Sequence, residues 1–331
     1  MDVLSEVLHA VKLEGAVFFN GEFSAPWGFI SPASDRVAPY IGKSDQHVII
    51  FHLLIDGVAQ AYIEDGPRLD LEAGDIVVFA HGHEHRLKNG APGRLVDNGA
   101  LLGEIFQSRD VNKMMRVGGG GPVTHFVCGH MACDRDLSSM LLAGLPPIFK
   151  VNIRNDASGQ WLENSIRFSA QGTGQLPGGN VVLAKLAEVL FVETLRRYMT
   201  QLPPEETGWL AGARDPEVGA ALALLHRDPA YPWTIADLAH KVGVSRSVLA
   251  DRFRRFLGEP PMSYLGRWRL RLGAQLLQSS SRSVAQIASE VGYESEAAFN
   301  RAFKREFGNP PARYRFTLKA AAKAATPSPD K

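Results

Sequence analysis

The chain has 331 residues, 45% of them hydrophobic and 21% charged, a balance that fits about two globular domains and excludes wholesale disorder or a fibrous repeat. No apolar stretch approaches the roughly 18 residues of a membrane span, and the longest, around Val181 to Phe191, is interrupted by Lys185 and Glu188. The net charge of +1 hides an asymmetry: Asp215 to Lys319 holds sixteen Lys/Arg against ten Asp/Glu, so the remainder is net negative. A polyanion-binding surface is therefore expected in the last third.

Asp2 and Glu6 stand where a secretory leader would carry Lys or Arg. Cys128 and Cys133 are too few for a disulfide framework in a chain of this length. Both features predict a reducing, cytoplasmic location with no membrane partner.

From residue 16 to about 127, short β-like runs such as HVIIFHLLI (His47 to Ile55) and DIVVFA (Asp75 to Ala80) alternate with turn signals. Asp56-Gly57, Asp65-Gly66-Pro67 and Asn89-Gly90 supply those turns. Regular short strands predict an all-β barrel or sandwich. The glycine run Gly118 to Gly121 lacks the Gly-Lys-Ser/Thr of a phosphate loop and reads as a joint. The pattern turns helical near Asp134. A long helix is predicted from Asn180 to about Thr200, with Leu183, Leu186, Leu190, Phe191, Leu195 and Tyr198 on its apolar face. That face either completes the first domain's core or pairs with a second copy. Residues 1–200 form the first expected domain, 201–214 a link, 215–316 a second domain and 317–331 a flexible tail.

The second domain contains an internal repeat. DLAHKVGVSRSVLADRFRRFLGEPPMSYL from Asp237 recurs as QIASEVGYESEAAFNRAFKREFGNPPARYR from Gln286. Leu238-Ala239 matches Ile287-Ala288, Gly243 matches Gly292, Ser245 matches Ser295, Phe253 matches Phe303, and Tyr264 matches Tyr314. Each copy has the parts of a helix-turn-helix: a short apolar helix, a glycine turn, a serine cap and a second helix ending at glycine. The units are expected at about 235–257 and 284–307. The first second-helix carries Arg246, Arg252, Arg254 and Arg255; the other carries Asn300, Arg301, Lys304 and Arg305. Such helices suit the major groove of double-stranded DNA and its phosphates. Phe253, Trp268, Phe299, Phe303 and Phe307 have helical spacing and are expected in the core.

These stretches closely resemble the DNA-binding domain of the AraC/XylS family of bacterial transcription regulators. The resemblance implies base reading by Arg246, Ser247, Ala250 and Asp251 in the first unit. In the second it implies Glu296, Ala297, Asn300 and Arg301. Ala250 and Ala297 offer only apolar contact, for example to a thymine methyl. LEAGDIVVFAHGHEHRLKN, with Gly74, Gly82, His85 and Asn89 in place, resembles the second cupin motif. The expected fold is α+β: a cupin-like β-barrel with a helical segment, followed by the all-α tandem helix-turn-helix domain.

Cupin catalysis needs metal ligands in the first motif, but those positions fall near Ser44, Gln46 and Ile50. No catalytic residue, metal or cofactor is therefore expected. His52, His83 and His85 are candidate effector contacts; together with His81 they are also the groups that would gather around a metal if alternate strand residues share a face. His125, Cys128, His130 and Cys133 are too close in sequence to close a tetrahedral zinc site easily, so the cysteines read as small buried hydrophobes, with metal binding or thiol sensing as the alternative. The function expected is a DNA-binding transcription regulator, an activator, responding to a small-molecule effector in the barrel. Its expected partners are promoter DNA, RNA polymerase and a second copy of the chain. The alternative is a metal-dependent cupin enzyme with an accessory DNA module.

Overall fold

The computed structural model describes residues 2–91, 96–97, 114–170 and 177–317. Their chain packs as two compact units that are discontinuous in sequence. The first comprises Lys12–Ser138 and Leu145–Pro203; the second comprises Met1–Val11, Ser139–Gly144 and Pro204–Lys331. The tail expected over 317–331 lies outside the described residues from 318 onward.

The first unit contains eleven described strands: β1 (Glu14–Ser24), β2 (Trp27–Ser31), β3 (His47–Asp56), β4 (Val58–Tyr62), β5 (Arg68–Glu72), β6 (Asp75–Phe79), β7 (His85–Asn89), β8 (Val96–Asp97), β9 (Met114–Gly118), β10 (Val123–Cys133) and β11 (Phe149–Asn152). One sheet runs β11-β6-β3-β10-β1-β9 and the other β5-β4-β7-β2-β8. They share one core, to which Phe23, Ile50, Phe79 and Phe126 come from the first sheet and Trp27, Phe29, Ala61 and Leu87 from the second. Among the described residues the sheets do not join edge to edge, so the cupin-like barrel takes the form of an open sandwich. Gly57, at φ 90°, makes the turn from β3 to β4, and a Cβ there would meet the Val123 carbonyl oxygen at 2.6 Å. Only glycine serves both demands.

Every residue of β3 from Val48 to Ile55 is buried, which explains why it reads as a continuous apolar run rather than an alternating one. One face points into the sandwich. The six-stranded sheet also packs against the long helix, which spans Gly179–Gln201 and contacts β1, β10 and β11. Its buried Leu183, Ala187, Leu190, Phe191 and Leu195 each add about 1.5–3 kcal/mol of apolar burial where the side chain is large. The helix begins one residue before Asn180, because Gly178 at φ 84° occupies the cap.

The described helices in order are α1 (Val3–Val11), α2 (Ser34–Val37), α3 (Arg135–Leu142), α4 (Ala157–Phe168), α5 (the long helix), α6 (Trp209–Arg214), α7 (Pro216–Arg227), α8 (Ile235–Lys241), α9 (Arg246–Leu257), α10 (Pro261–Ser279), α11 (Val284–Glu290) and α12 (Glu296–Phe307). The expectation of a plain link over 201–214 is corrected, since α6 buries Trp209, Leu210 and Ala211 in the second unit. Trp209 Nε1 donates to the Tyr264 hydroxyl at 2.8 Å, and the same oxygen lies 2.7 Å from His226 Nε2. An aromatic with a polar handle therefore anchors the segment between the two predicted domains. By packing, the N-terminal helix groups with the second unit rather than with the rest of the expected first domain. Helix α1 packs on α7, burying Val3, Leu4, Val7 and Val11, and Gln275 Nε2 donates to the Ala10 carbonyl at 3.2 Å.

Candidate DNA interface and sensor core

The two helix-turn-helix copies fold alike because their caps are alike. Thr234 and Asp237 form a capping box at α8, and Ser283 and Gln286 form one at α11. Ser245 accepts from Val248 N at the start of α9; Ser295 accepts from Ala298 N at the start of α12. Gly243 (φ 76°) and Gly292 (φ 88°) make the turns, and Gly258 and Gly308 end the second helices in the left-handed region. Leu249 and Phe253 bury one face of α9, and Phe299 and Phe303 bury the matching face of α12. Trp268 is buried as expected, and Phe307 packs half-buried beside Phe303.

That orientation decides which side chains are left for a ligand. On α9, Arg246, Ser247, Asp251, Arg254 and Arg255 are exposed, while Ala250 is half-buried. On α12, Glu296, Ala297, Arg301, Lys304 and Arg305 are exposed. Some predicted contacts have local duties. Asn300 Nδ2 donates to the Glu296 carbonyl at 2.9 Å, so its amide is partly spent on its own helix. Asp251 and Arg254 form an exposed pair at 3.4 Å, and the Arg255 guanidinium lies 5.2 Å from the Phe256 ring centre.

Arg252 has the heaviest prior engagement. Its Nη1 donates to Asp215 Oδ2 at 2.6 Å and to Glu217 Oε2 at 2.7 Å, tying the recognition helix α9 to the start of α7. Asp215 also caps α7 through Val218 N. The sequence counted Arg252 with the DNA-facing cations because its partners lie more than thirty residues away, where no local pattern signals them. Two carboxylates hold its charge in place.

In the first unit, His52 and His85 meet inside the sandwich. His85 Nδ1 lies 2.9 Å from the His83 carbonyl, His52 Nε2 lies 2.8 Å from His85 Nε2, and His52 Nδ1 lies 2.6 Å from Cys128 Sγ. Phe29, Phe79 and Phe126 ring this line. All three side chains are fully buried. Burial pushes the His85 imidazole down to about 3, holds His52 well below its ordinary value with the neighbouring His85 adding to the effect, and raises the Cys128 thiol. Each group is therefore neutral at rest.

His83 does not join them. The expected shared face of His81, His83 and His85 requires a strand, but β7 starts only at His85. His83 is exposed and contributes its carbonyl alone, and His81 lies 2.9 Å from the Leu145 carbonyl. The other cluster divides along β10, where His125 and Cys133 alternate with Cys128 and His130. Cys133 donates to the His47 carbonyl at 3.6 Å, and burial pushes its thiol up to about 12. Among the described residues no group of three or more His, Cys, Asp or Glu side chains is arranged to hold a metal. A cleft of about 660 Å³ opens elsewhere in this unit, lined by Gln60, Asp70, Glu72, Lys88, Asn89 and Lys150 among others.

Comparison with known proteins divides the chain near residue 200 as well, but counts the N-terminal helix with the first domain. The cupin family model matches residues 2–200, and a helix-turn-helix domain model matches residues 238–316. A cupin domain joined to a tandem helix-turn-helix domain defines a class of one-chain transcription regulators. This chain belongs to that AraC-type cupin regulator family. The HTH-type transcriptional regulator AlkR of Acinetobacter baylyi is 31% identical over 95% of this chain and 99% of its own. An AraC-like transcription regulator of Streptomyces antibioticus is 36% identical over 95% of this chain and 98% of its own. A solved AraC-type regulator structure from Chromobacterium violaceum covers 34% of this chain and 96% of that one, at 32% identity and a TM-score of 0.30. No helix among the described residues is long and apolar enough to cross a membrane.

Proposed function

We propose that this regulator reads its operator through α9 and α12 together, with Arg246, Ser247, Asp251, Glu296 and Arg301 offered to base edges. Arg254, Arg255, Lys304 and Arg305 are offered to phosphates, and Asn300 joins the base readers by releasing its bond to the Glu296 carbonyl. The observation that carries the reading is the pair of serine-capped helices whose exposed faces hold these residues at matched positions. In this reading Arg252 sets the position of α9 and adds charge, while its carboxylate partners keep it from the bases. Two such helices reach successive major grooves about one helical turn apart. Footprinting of the upstream region of its own gene tests this. Two protected segments spaced by about 10 base pairs support it; a single short segment, or uniform protection without sequence preference, overturns it.

The same proposal makes the protein an activator that answers a small molecule received by the cupin domain and contacts RNA polymerase. The cupin match and the complete two-domain relatives support that arrangement. His52 and His85 line the filled core, so an effector reaching them has to open that core, whereas the 660 Å³ cleft is already open. A ligand that binds the folded state raises the melting temperature, by a stabilisation that grows with the logarithm of its excess over Kd. A metabolite panel that produces no such rise, together with promoter activity insensitive to every member, contradicts the effector half of the reading. A homodimer is also part of it, carried by exposed Val181, Val182 and Val189 on α5. Sedimentation of the full chain and of Val189→Glu tests that arm.

A further inference from the structure

Inside the sandwich, hydrogen-bond bookkeeping leaves one proton arrangement for the buried line. The His83 carbonyl can only accept, so His85 Nδ1 carries hydrogen and donates to it. His85 is neutral, which leaves its Nε2 as an acceptor, and His52 Nε2 must donate there. His52 is neutral in turn, so its Nδ1 is an acceptor, and the Cys128 thiol donates to it. The order thiol, imidazole, imidazole, carbonyl is that of a nucleophile, a base and an orienting group; burial opposes the proton transfer in the closed core, so the reactive state is the locally opened one, in which water brings both groups back toward their ordinary values.

We propose that Cys128 is a modification site for small neutral two-electron oxidants of the peroxide class, with His52 as its general base and His85 as the group that orients and supports His52. In the reaction the Cys128 proton passes to His52 Nδ1 as the sulfur lone pair attacks one peroxide oxygen. The S–O bond forms, the O–O bond breaks, and the departing hydroxide takes the proton from His52 and leaves as water. Sulfur loses two electrons, the peroxide is reduced, and Cys128 becomes a sulfenic acid. While His52 holds the extra proton, its Nε2–H remains on His85, whose ring is pinned by the His83 carbonyl.

The surroundings select the reagent. Cys128 is buried against Phe126, Ile50 and Val77 in a filled core, which admits a water-sized neutral molecule during local opening far more readily than a bulky or charged one. The same packing gives the event a structural output, because an added oxygen beside closely packed aromatics forces them to move. The reactivity stands apart from the effector reading above; only a consequence for DNA binding would rest on it.

Cys133 provides an internal control. It is as buried as Cys128 and its thiol is likewise raised by burial, but it bonds to the His47 carbonyl, which cannot take a proton. The experiment treats the native full-length protein with hydrogen peroxide at neutral pH, traps sulfenic acid with dimedone, and follows both cysteines by peptide mass spectrometry. Cys128 is expected to react at least about tenfold faster than Cys133, at the modest end of general-base assistance. His52→Gln is expected to bring the two rates together, and His85→Gln to narrow the gap. Equal rates in the parent protein overturn the proposal, since global opening exposes both thiols alike. A Cys128 advantage that survives His52→Gln in a variant with parental circular dichroism overturns the role of His52. Stoichiometric metal in the purified protein, lost on His52→Gln, overturns the relay in favour of a metal site.

Discussion

Arg252 shows how a single residue divides between folding and recognition. Two carboxylates within hydrogen-bond distance hold its guanidinium, and both sit at the start of a different helix. Arg252→Ala leaves Asp215 and Glu217 close together without that cation. Urea unfolding is expected to show a loss of about 1–2 kcal/mol, with operator binding by the folded variant reduced less than by Arg301→Ala. Unchanged stability with a DNA defect equal to that of Arg301→Ala would contradict this assignment. At this scale the sequence shows residue type and helical face, which is why Arg246, Arg301, Phe253 and Phe299 could be sorted into exposed and buried. It does not show long-range partners. Arg252 with Asp215, and Cys128 with His52, come together only through tertiary packing.

The helix-turn-helix elements were legible because their signals are local: capping serines, turn glycines and a repeated apolar pattern. Those signals carry measurable weight. Ser295→Ala removes the side-chain acceptor at the start of α12 and is expected to cost about 1 kcal/mol, with a matching drop in DNA affinity as the helix end frays. The two turn glycines are expected to differ. Gly243 at φ 76° has open space where a Cβ would stand, whereas at Gly292 a Cβ would meet Ala230 Cα at 2.8 Å. Gly243→Ala should therefore lower stability by about 1–2 kcal/mol from backbone strain alone. Gly292→Ala should lower it more, and equal thermal midpoints for the two variants would refute the steric difference. The strands were less legible than the helices. The alternation expected to bring His81, His83 and His85 onto one face fails because residues 80–84 form turn and coil rather than strand. The link over 201–214 hid α6, since Pro203, Pro204 and Gly208 outweigh the short run Trp209-Leu210-Ala211 in local pattern.

Across the whole molecule, buried neutral histidines set the response to acid. Burial lowers His85 and His226 to about 3 and His130 to about 4, from an ordinary 6.5. Between those values the unfolded chain binds protons that the folded chain does not. Stability is thus unaffected by these groups above pH 6.5 and falls as pH drops from about 6.5 toward 4, by about 1.4 kcal/mol per unit for each histidine. His226 Nδ1 is buried without a hydrogen-bond partner, so no hydrogen bond at that nitrogen offsets the cost of charging the ring. Melting temperatures measured from pH 7.5 to 5 should fall steadily below 6.5, and His226→Gln should flatten part of the slope. Midpoints constant over that range would contradict the neutral assignment.

The central claim is that two helices of one chain share the reading of one operator. Gel-shift titration of the parent, Arg246→Ala, Arg301→Ala and the double variant, each on operator and on scrambled DNA at fixed salt, tests it most directly. Each single variant is expected to lose about 1–3 kcal/mol of operator binding, roughly five- to 150-fold, with a far smaller loss on scrambled DNA. The double variant should bind both DNAs almost equally. Retention of parental selectivity by Arg301→Ala or by the double variant would contradict the account.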